Sequence, residues 1–282
     1  MADHILAIDQ GTTSTRAIVF DSSALPVGSA QVELSQHFPR PGWVEHDPIE
    51  IAEAAVSVAK QAIGRAQLAP EDIAAIGIAN QRETTIVWER ATGRPVANAI
   101  VWQDRRTAEI CRDLTKTDHA ESIRQITGLV VDPYFSATKL MWLLATLPDG
   151  QARAEAGELC FGTVDSWLLW HLTNGEVHAT DSTNASRTML LNLHDLQWDP
   201  EMLRLFNIPE AMLPEVRGSA DDFGLTARSI FGAEIPITAM AGDQHAALYG
   251  QACFRNGQIK CTYGTGAFVL ANKGSKVPVQ QS

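Results

Sequence analysis

The chain has 282 residues, 45% of them hydrophobic, with 22 Lys and Arg against 33 Asp and Glu, giving a net charge of −11. That composition fits an ordinary globular protein and repels nucleic acid and anionic membrane, so neither is expected as its main partner. An anionic substrate must then be met by local basic groups or backbone amides. The four cysteines, Cys111, Cys160, Cys253 and Cys261, form no C-x-x-C pair. Scattered thiols speak for a reducing cytoplasm rather than a disulfide frame or zinc site. The first residues show no basic stretch followed by an apolar core, and no apolar run approaches ~20 residues, so neither a signal peptide nor a membrane span is expected.

In chain order, Ile5–Ile8 and Ala17–Phe20 are apolar runs around the polar turn Asp9–Ser14, which predicts a hairpin. A third extended stretch is expected over Gln31–Leu34, ending at the breaker Pro39–Gly42. Asp47-Pro48 supplies an N-cap and a proline at the first helical position, and Ile51, Ala55, Val58 and Ala62 continue a helical stripe. Strands are expected over Ile73–Ala79, Thr84–Trp88 and Ala99–Trp102. Thr107 to about Leu172 is mostly helical in pattern, notably at Ile110–Leu114, Ala137–Leu147 and Val164–Leu172. A short helix is expected at Met202–Phe206, a strand start at Ile235–Ile237, and a helix at His245–Gly250. Ile259–Tyr263, Gly264-Thr265-Gly266 and Ala267–Leu270 repeat the opening plan of strand, small polar turn and strand. The echo suggests a duplicated fold whose halves each offer a phosphate turn.

Four polar groups carry candidate chemistry. In Asp9-Gln10-Gly11-Thr12-Thr13-Ser14, glycine allows close backbone approach, and hydroxyls and amides can cradle phosphate oxygens. Asp9 can hold a hydrated Mg²⁺ there, and Arg16 adds a cation. A plain polar hairpin turn explains the same residues equally well. Gly264-Thr265-Gly266 offers a second such turn; alone it reads better as a plain hairpin turn, and the two together are stronger than either, since a triphosphate needs contacts along its length. Arg82 and Glu83 offer forked donors and a carboxylate, which suits vicinal hydroxyls, although adjacent charges are commonly a surface ion pair. Asp243 is either the N-cap of the following helix or a carboxylate base for a hydroxyl substrate. His245 is a second candidate base. Trp102, Tyr134 and Phe268 are core aromatics or a wall against a small polyol's carbons.

Taken together, Asp9–Arg16, Pro41–Pro48, Asn80–Thr85, Val131–Ser136, Gly162–Trp167, Thr183–Leu190, Gly242–Gln244 and Thr262–Gly266 resemble glycerol kinases, of the sugar and polyol kinase family. The resemblance covers nearly the whole chain, and Arg82-Glu83 after Asn80-Gln81 is characteristic of the glycerol members.

The resemblance implies an α/β fold, a ribonuclease H-like, actin-like ATPase N-terminal domain with a mixed central sheet flanked by helices. It places that domain at residues 1–250 and the first hairpin of a second ATPase domain at 251–282. It implies ATP-dependent phosphorylation of glycerol to sn-glycerol 3-phosphate, with ATP and Mg²⁺. Arg82, Glu83, Tyr134, Asp243 and Gln244 would bind glycerol hydroxyls, and Trp102 and Phe268 would face its carbons. Asp243 would be the general base. Asp9 would position Mg²⁺ through water, and Thr12, Thr13, Ser14, Arg16 and Thr265 would contact nucleotide phosphates. Family members are longer, their second half supplying most of the adenosine pocket, so glycerol binding with weak or absent turnover is expected of these 282 residues alone. Phe231–Glu234 lacks the Gly-rich basic loop of members inhibited by fructose 1,6-bisphosphate. A cytoplasmic homo-oligomer is implied for the complete enzyme, with association at a membrane periphery or glycerol channel left open. The alternatives are a kinase for another small polyol or ketose, and a non-catalytic polyol-binding fragment.

Overall fold

A computed structural model describes residues 3–264, 266–275 and 277. Its centre is a five-stranded mixed sheet. β1 (His4–Gln10) and β2 (Ser14–Phe20) form the expected antiparallel hairpin, and β3 (Pro26–Glu33) adds to it antiparallel. On the other side of β1, the strand Ile73–Asn80 runs parallel, and Ile237–Gly242 runs parallel beyond that. Three antiparallel strands continued by two parallel ones give the ribonuclease H-like, actin-like ATPase arrangement that the sequence predicts. Side chains alternate across the sheet. Leu6, Ile8, Ala17 and Val19 are buried on one face. Asp9 and Arg16 are register partners on the opposite face.

The buried face is covered by α1 (Pro48–Arg65), with Asp47 accepting from the Ile49 amide as N-cap. Its apolar stripe recurs every three to four residues, and Ile51, Ala55, Val58 and Ala62 are all fully buried. α1 lies so close to β3 that a Cβ on Gly28 would sit 2.4 Å from the Ala62 carbonyl oxygen. Only glycine permits that approach. The helix Val164–Leu172 packs beside α1 and donates from Trp167 Nε1 to the Pro48 carbonyl at 2.6 Å. A second apolar cluster, built on Phe135, Leu140, Leu143, Phe161 and Met202 among others, holds the helices of residues 108–155 to the same body.

Several boundaries differ from expectation. β3 begins at Pro26, earlier than Gln31, because Pro26, Gly28 and Ser29 are turn-type residues that hide the strand pattern of an exposed edge. The predicted strand Thr84–Trp88 forms only from Ile86 to Glu89, since Glu83 adopts φ 61° and breaks the chain direction. The strand predicted to Trp102 ends at Ile100. Inside the mostly helical stretch lies a strand, Leu159–Gly162, buried along its whole length and paired with Ile86–Glu89. A short, wholly apolar run carries no period by which to tell strand from helix. The helix expected from His245 starts at Asp243, with Gly242 as its cap, so Asp243 is its first residue rather than its N-cap. The second hairpin pairs Ile259–Tyr263 with Ala267–Ala271 as a two-stranded sheet of its own. Thr265 lies outside the described residues. Among the described residues no helix is long and apolar enough to cross a membrane.

Candidate active site

The chain leaves β1, Ile73–Asn80 and Ile237–Gly242 on the same side of the sheet, because the three strands are parallel. Ligands of open α/β sheets gather in the crevice beyond such carboxyl ends. β1 delivers Asp9 and the turn after it, Ile73–Asn80 delivers Arg82 and Glu83, and Ile237–Gly242 delivers Asp243 and Gln244.

These segments enclose a cavity of about 140 Å³, lined by Thr12, Arg82, Glu83, Trp102, Tyr134, Asp243, Gln244, Thr262, Gly264, Gly266 and Phe268. Arg82 is almost entirely buried, and its Nε donates to Asp243 Oδ1 at 3.1 Å. It fits only because residue 242 is glycine, since a Cβ there would lie 2.5 Å from Arg82 Cδ. Asp243 Oδ1 also accepts from the Gln244 amide at 2.6 Å. Its Oδ2 has no protein donor among the described residues. The Gly242 amide donates to Thr183 Oγ1 at 2.8 Å, and Thr183 is held by Asp181. Asp181 Oδ1 also accepts from Asn184 Nδ2, whose carboxamide exchanges bonds of 3.0 Å with Asn80. The backbone ahead of Asp243 is thereby tied to the end of the neighbouring strand.

Opposite stands Glu83, its side chain 2% exposed and its carboxylate accepting from Arg187 Nε at 2.7 Å. The Arg187 guanidinium also lies over Tyr134, 5.6 Å from the ring centre. Burial, then repulsion from Glu83, pushes the Tyr134 phenol above its ordinary pKa, so it stays a neutral donor. The apolar wall is Trp102, edge-on to Tyr134 at 5.7 Å and to Phe268 at 5.9 Å. Trp102 Nε1 donates to Thr12 Oγ1 at 2.8 Å, which fastens this wall to the turn after β1. Gln244 Oε1 accepts from the buried Lys260 Nζ, which also donates to Thr262 Oγ1 at 2.6 Å.

The phosphate-side candidates are looser. Gly11 N bonds Ser14 O at 2.9 Å, closing the turn. Thr13 is exposed, and Arg16 donates through Nε and a terminal nitrogen to Gln31 Oε1 on β3. Asp9, Thr13, Ser14 and Arg16 do not line the cavity but lie beside it on the β1–β2 turn. Although open at its surface, the Asp9 carboxyl is hemmed in by the cleft. Partial desolvation, then Asp243, raise its pKa, and Arg16 opposes them. Among the described residues no three His, Cys, Asp or Glu gather into a metal cage. One carboxylate strained by a second across an open cleft fits a hydrated divalent ion better than a caged one. His245 is not suited as a base: burial, then Arg82 and Arg187, lower its pKa to about 3.

Arg187, Thr183 and Asn184 fall within the motif Thr183–Leu190, but their side chains carry no pattern that assigns them a part. Lys139, among apolar neighbours in the sequence, and Lys260, alone in a short strand, give no sequence signal of a site.

Residues 4–250 match the N-terminal domain of the FGGY family of carbohydrate kinases. Among curated proteins the chain is 59% identical over 273 residues to glycerol kinase 2 of Thermotoga maritima, covering 97% of this chain and 55% of that protein. It is 57% identical over 274 residues to glycerol kinase of Alcanivorax borkumensis, with the same coverage. The chain thus spans about half the length of the curated relatives it matches. Among solved structures it is similar to Plasmodium falciparum glycerol kinase with ADP, at a TM-score of 0.92 and 40% identity over 97% of this chain and 55% of that one. Gluconate kinase from Lactobacillus acidophilus, 23% identical, shares the fold with a TM-score of 0.85 over 94% of this chain and 53% of that one. By its sheet order, its crevice and this match, the chain belongs to the FGGY family of carbohydrate kinases.

Proposed function

We propose that the chain is the glycerol-binding and phosphate-facing half of an ATP-dependent glycerol kinase, producing sn-glycerol 3-phosphate and ADP. The observation that carries this is Asp243 Oδ2, a carboxylate oxygen with no protein donor among the described residues, at a half-open cavity whose other polar walls include Arg82, Glu83, Tyr134 and Gln244. Glycerol has six heavy atoms, as many as benzene, which fits an apolar cavity of about 150 Å³. The cavity of about 140 Å³ suits that size. Likeness to glycerol kinases over 97% of the chain supports the same substrate.

In this reading Arg82 and Tyr134 donate to glycerol hydroxyls, and Glu83 accepts from one of them. Trp102 and Phe268 lie against the carbons. Asp243, with Oδ1 fixed by Arg82 and by the Gln244 amide, takes the terminal hydroxyl's proton at Oδ2 as that oxygen forms its bond to the γ-phosphorus and ADP leaves. Most of the acceleration comes from alignment and charge neutralisation rather than covalent chemistry. Thr12, Thr13, Ser14 and Arg16 contact the nucleotide phosphates, and Thr265, expected with them from the sequence, lies outside the described residues. Asp9 would hold a hydrated Mg²⁺, which would supply neutralisation of the phosphate charge. We place the domain boundary after residue 250, where the family match ends and beyond which the second hairpin forms its own sheet. The enzyme is cytoplasmic and homo-oligomeric when complete.

The second reading, polyol binding without turnover, concerns these 282 residues taken alone, which span 55% of the relative's length. A coupled ADP assay over a panel of glycerol, ketopentoses and hexonates separates the readings, run on the chain alone and with a complementary second-half fragment. The proposal expects phosphorylation of glycerol above the other acceptors once the second half is added. Preference for a ketose, or no phosphorylation of any acceptor by the combined halves, contradicts it.

A further inference from the structure

The side chain of Lys139, in the helix Ser136–Thr146, is fully buried. A buried ammonium is unfavourable unless matched, and an apolar side chain would fill the same space without that cost. Among the described residues no carboxylate lies within ion-pair distance of it. Nζ instead donates to the carbonyl of Tyr134 at 2.6 Å and to the carbonyl of Glu83 at 3.4 Å. The Glu83 carbonyl also accepts from Ser136 Oγ at 3.1 Å. Glu83 and Tyr134 are two of the cavity's polar walls and are supplied by segments about fifty residues apart. Glu83 has φ 61°, a conformation that strains a side chain with a Cβ and persists only where surroundings hold it. In it, the carboxylate faces Arg187 and the cavity while the carbonyl turns inward to the ammonium.

We propose that Lys139 is a positioning residue of the polyol pocket, whose ammonium ties the Glu83 backbone to the Tyr134 backbone and so sets the spacing of the carboxylate and phenol that face the substrate. Burial lowers its pKa to about 8, while Glu83, Asp104, Cys111 and Asp132 act in the opposite direction, so it is charged at neutral pH. A charged donor bridging two carbonyls makes stronger bonds than a neutral one and is more costly to lose. The statement that the spaced groups meet a polyol rests on the proposed function. The clamp itself does not.

The test is the 282-residue chain with Lys139→Met, which keeps the length of the side chain without its charge, and Lys139→Gln, which keeps one amide donor. Backbone hydrogen exchange is followed by mass spectrometry, and glycerol affinity by calorimetry. In Lys139→Met, exchange is expected to rise at least tenfold in residues 82–86 and 131–136 while α1 and β1 keep their protection. Glycerol affinity is expected to fall at least tenfold, with Lys139→Gln between it and the unaltered chain. Unchanged exchange in both segments overturns the clamp, and so does a rise spread evenly over the molecule, which a merely structural lysine would give. Should Lys139→Met not fold, the same comparison is read from Lys139→Gln. If the unaltered chain binds no glycerol, the polyol reading fails, and the exchange measurement still decides the clamp.

Discussion

The two sides of the crevice are built differently. On the side proposed to take the polyol, Arg82, Glu83 and Gln244 are buried, and each is bonded to a charged partner from another segment: Asp243, Arg187 and Lys260. On the side proposed to meet phosphates, Thr13 and Arg16 are exposed, the turn is closed by its own backbone, and Arg16 donates to a neighbouring glutamine. The first side is fixed before any ligand arrives, which suits recognition of a small uncharged molecule with no long-range field to steer it. The second is free to adapt to a mobile polyphosphate, whose charge supplies the attraction. Preorganisation is thus concentrated where the ligand contributes least binding energy.

This contrast predicts a ranking of substitutions. The largest effect falls on turnover, at the one group of the rigid side to which the proposed function gives the chemistry. Asp243→Asn in the complete enzyme is expected to lower kcat by about 10²–10⁴ and to leave glycerol affinity within a few-fold, since the amide oxygen still accepts from Arg82. Steady-state kinetics with calorimetry checks this, and unchanged kcat eliminates Asp243 as base.

Next comes the support beneath Asp243. Asp165 is fully buried beside Asp181, and its pKa is raised to about 6 by desolvation and then by Asp181, against the hydrogen bonds of Thr163 and Thr180. A raised carboxyl favours folding while protonated. Its contribution is complete below the unfolded value near 4 and is lost as pH rises through about 6. Relative to the unaltered chain, Asp165→Asn is therefore expected to gain up to ~3 kcal/mol of stability between pH 4 and 6.5, at about 1.4 kcal/mol per pKa unit. Urea unfolding across that range measures it, and parallel pH profiles would refute the shift.

Glu83→Gln removes the charge that meets Arg187 and, in the proposed function, a substrate hydroxyl. Loss of charged hydrogen bonds worth ~1.5–3 kcal/mol weakens glycerol binding about ten- to a hundredfold. Arg16→Ala stands last. It is expected to change thermal stability by less than about 0.5 kcal/mol, as surface substitutions do, and to leave glycerol affinity untouched. A large loss of glycerol binding in Arg16→Ala would erase the distinction between the two sides.

The parts of this arrangement written in local chemistry were legible in the sequence. Asp47-Pro48 announces α1 because capping and the proline ring act within one turn, and the β1–β2 hairpin follows from apolar runs around a polar turn. Arg82-Glu83 and Asp243 stand out as charges placed just after apolar strands. What could not be read depends on contacts across the fold. The positive φ of Glu83 is imposed by tertiary surroundings, and Arg187 reaches Glu83 from 104 residues away. Lys139 sits in a helix apolar on nearly every side, where a lysine gives no hint of being fully enclosed. The strand Leu159–Gly162 is hidden because burial of all four residues erases its alternation.

The most direct test of the central claim is calorimetric titration of glycerol into the 282-residue chain without nucleotide. A pocket fixed in advance predicts saturable one-site binding, weakened at least tenfold by Glu83→Gln and unaltered by Arg16→Ala. No glycerol binding by the folded chain, or equal loss in both variants, would contradict it.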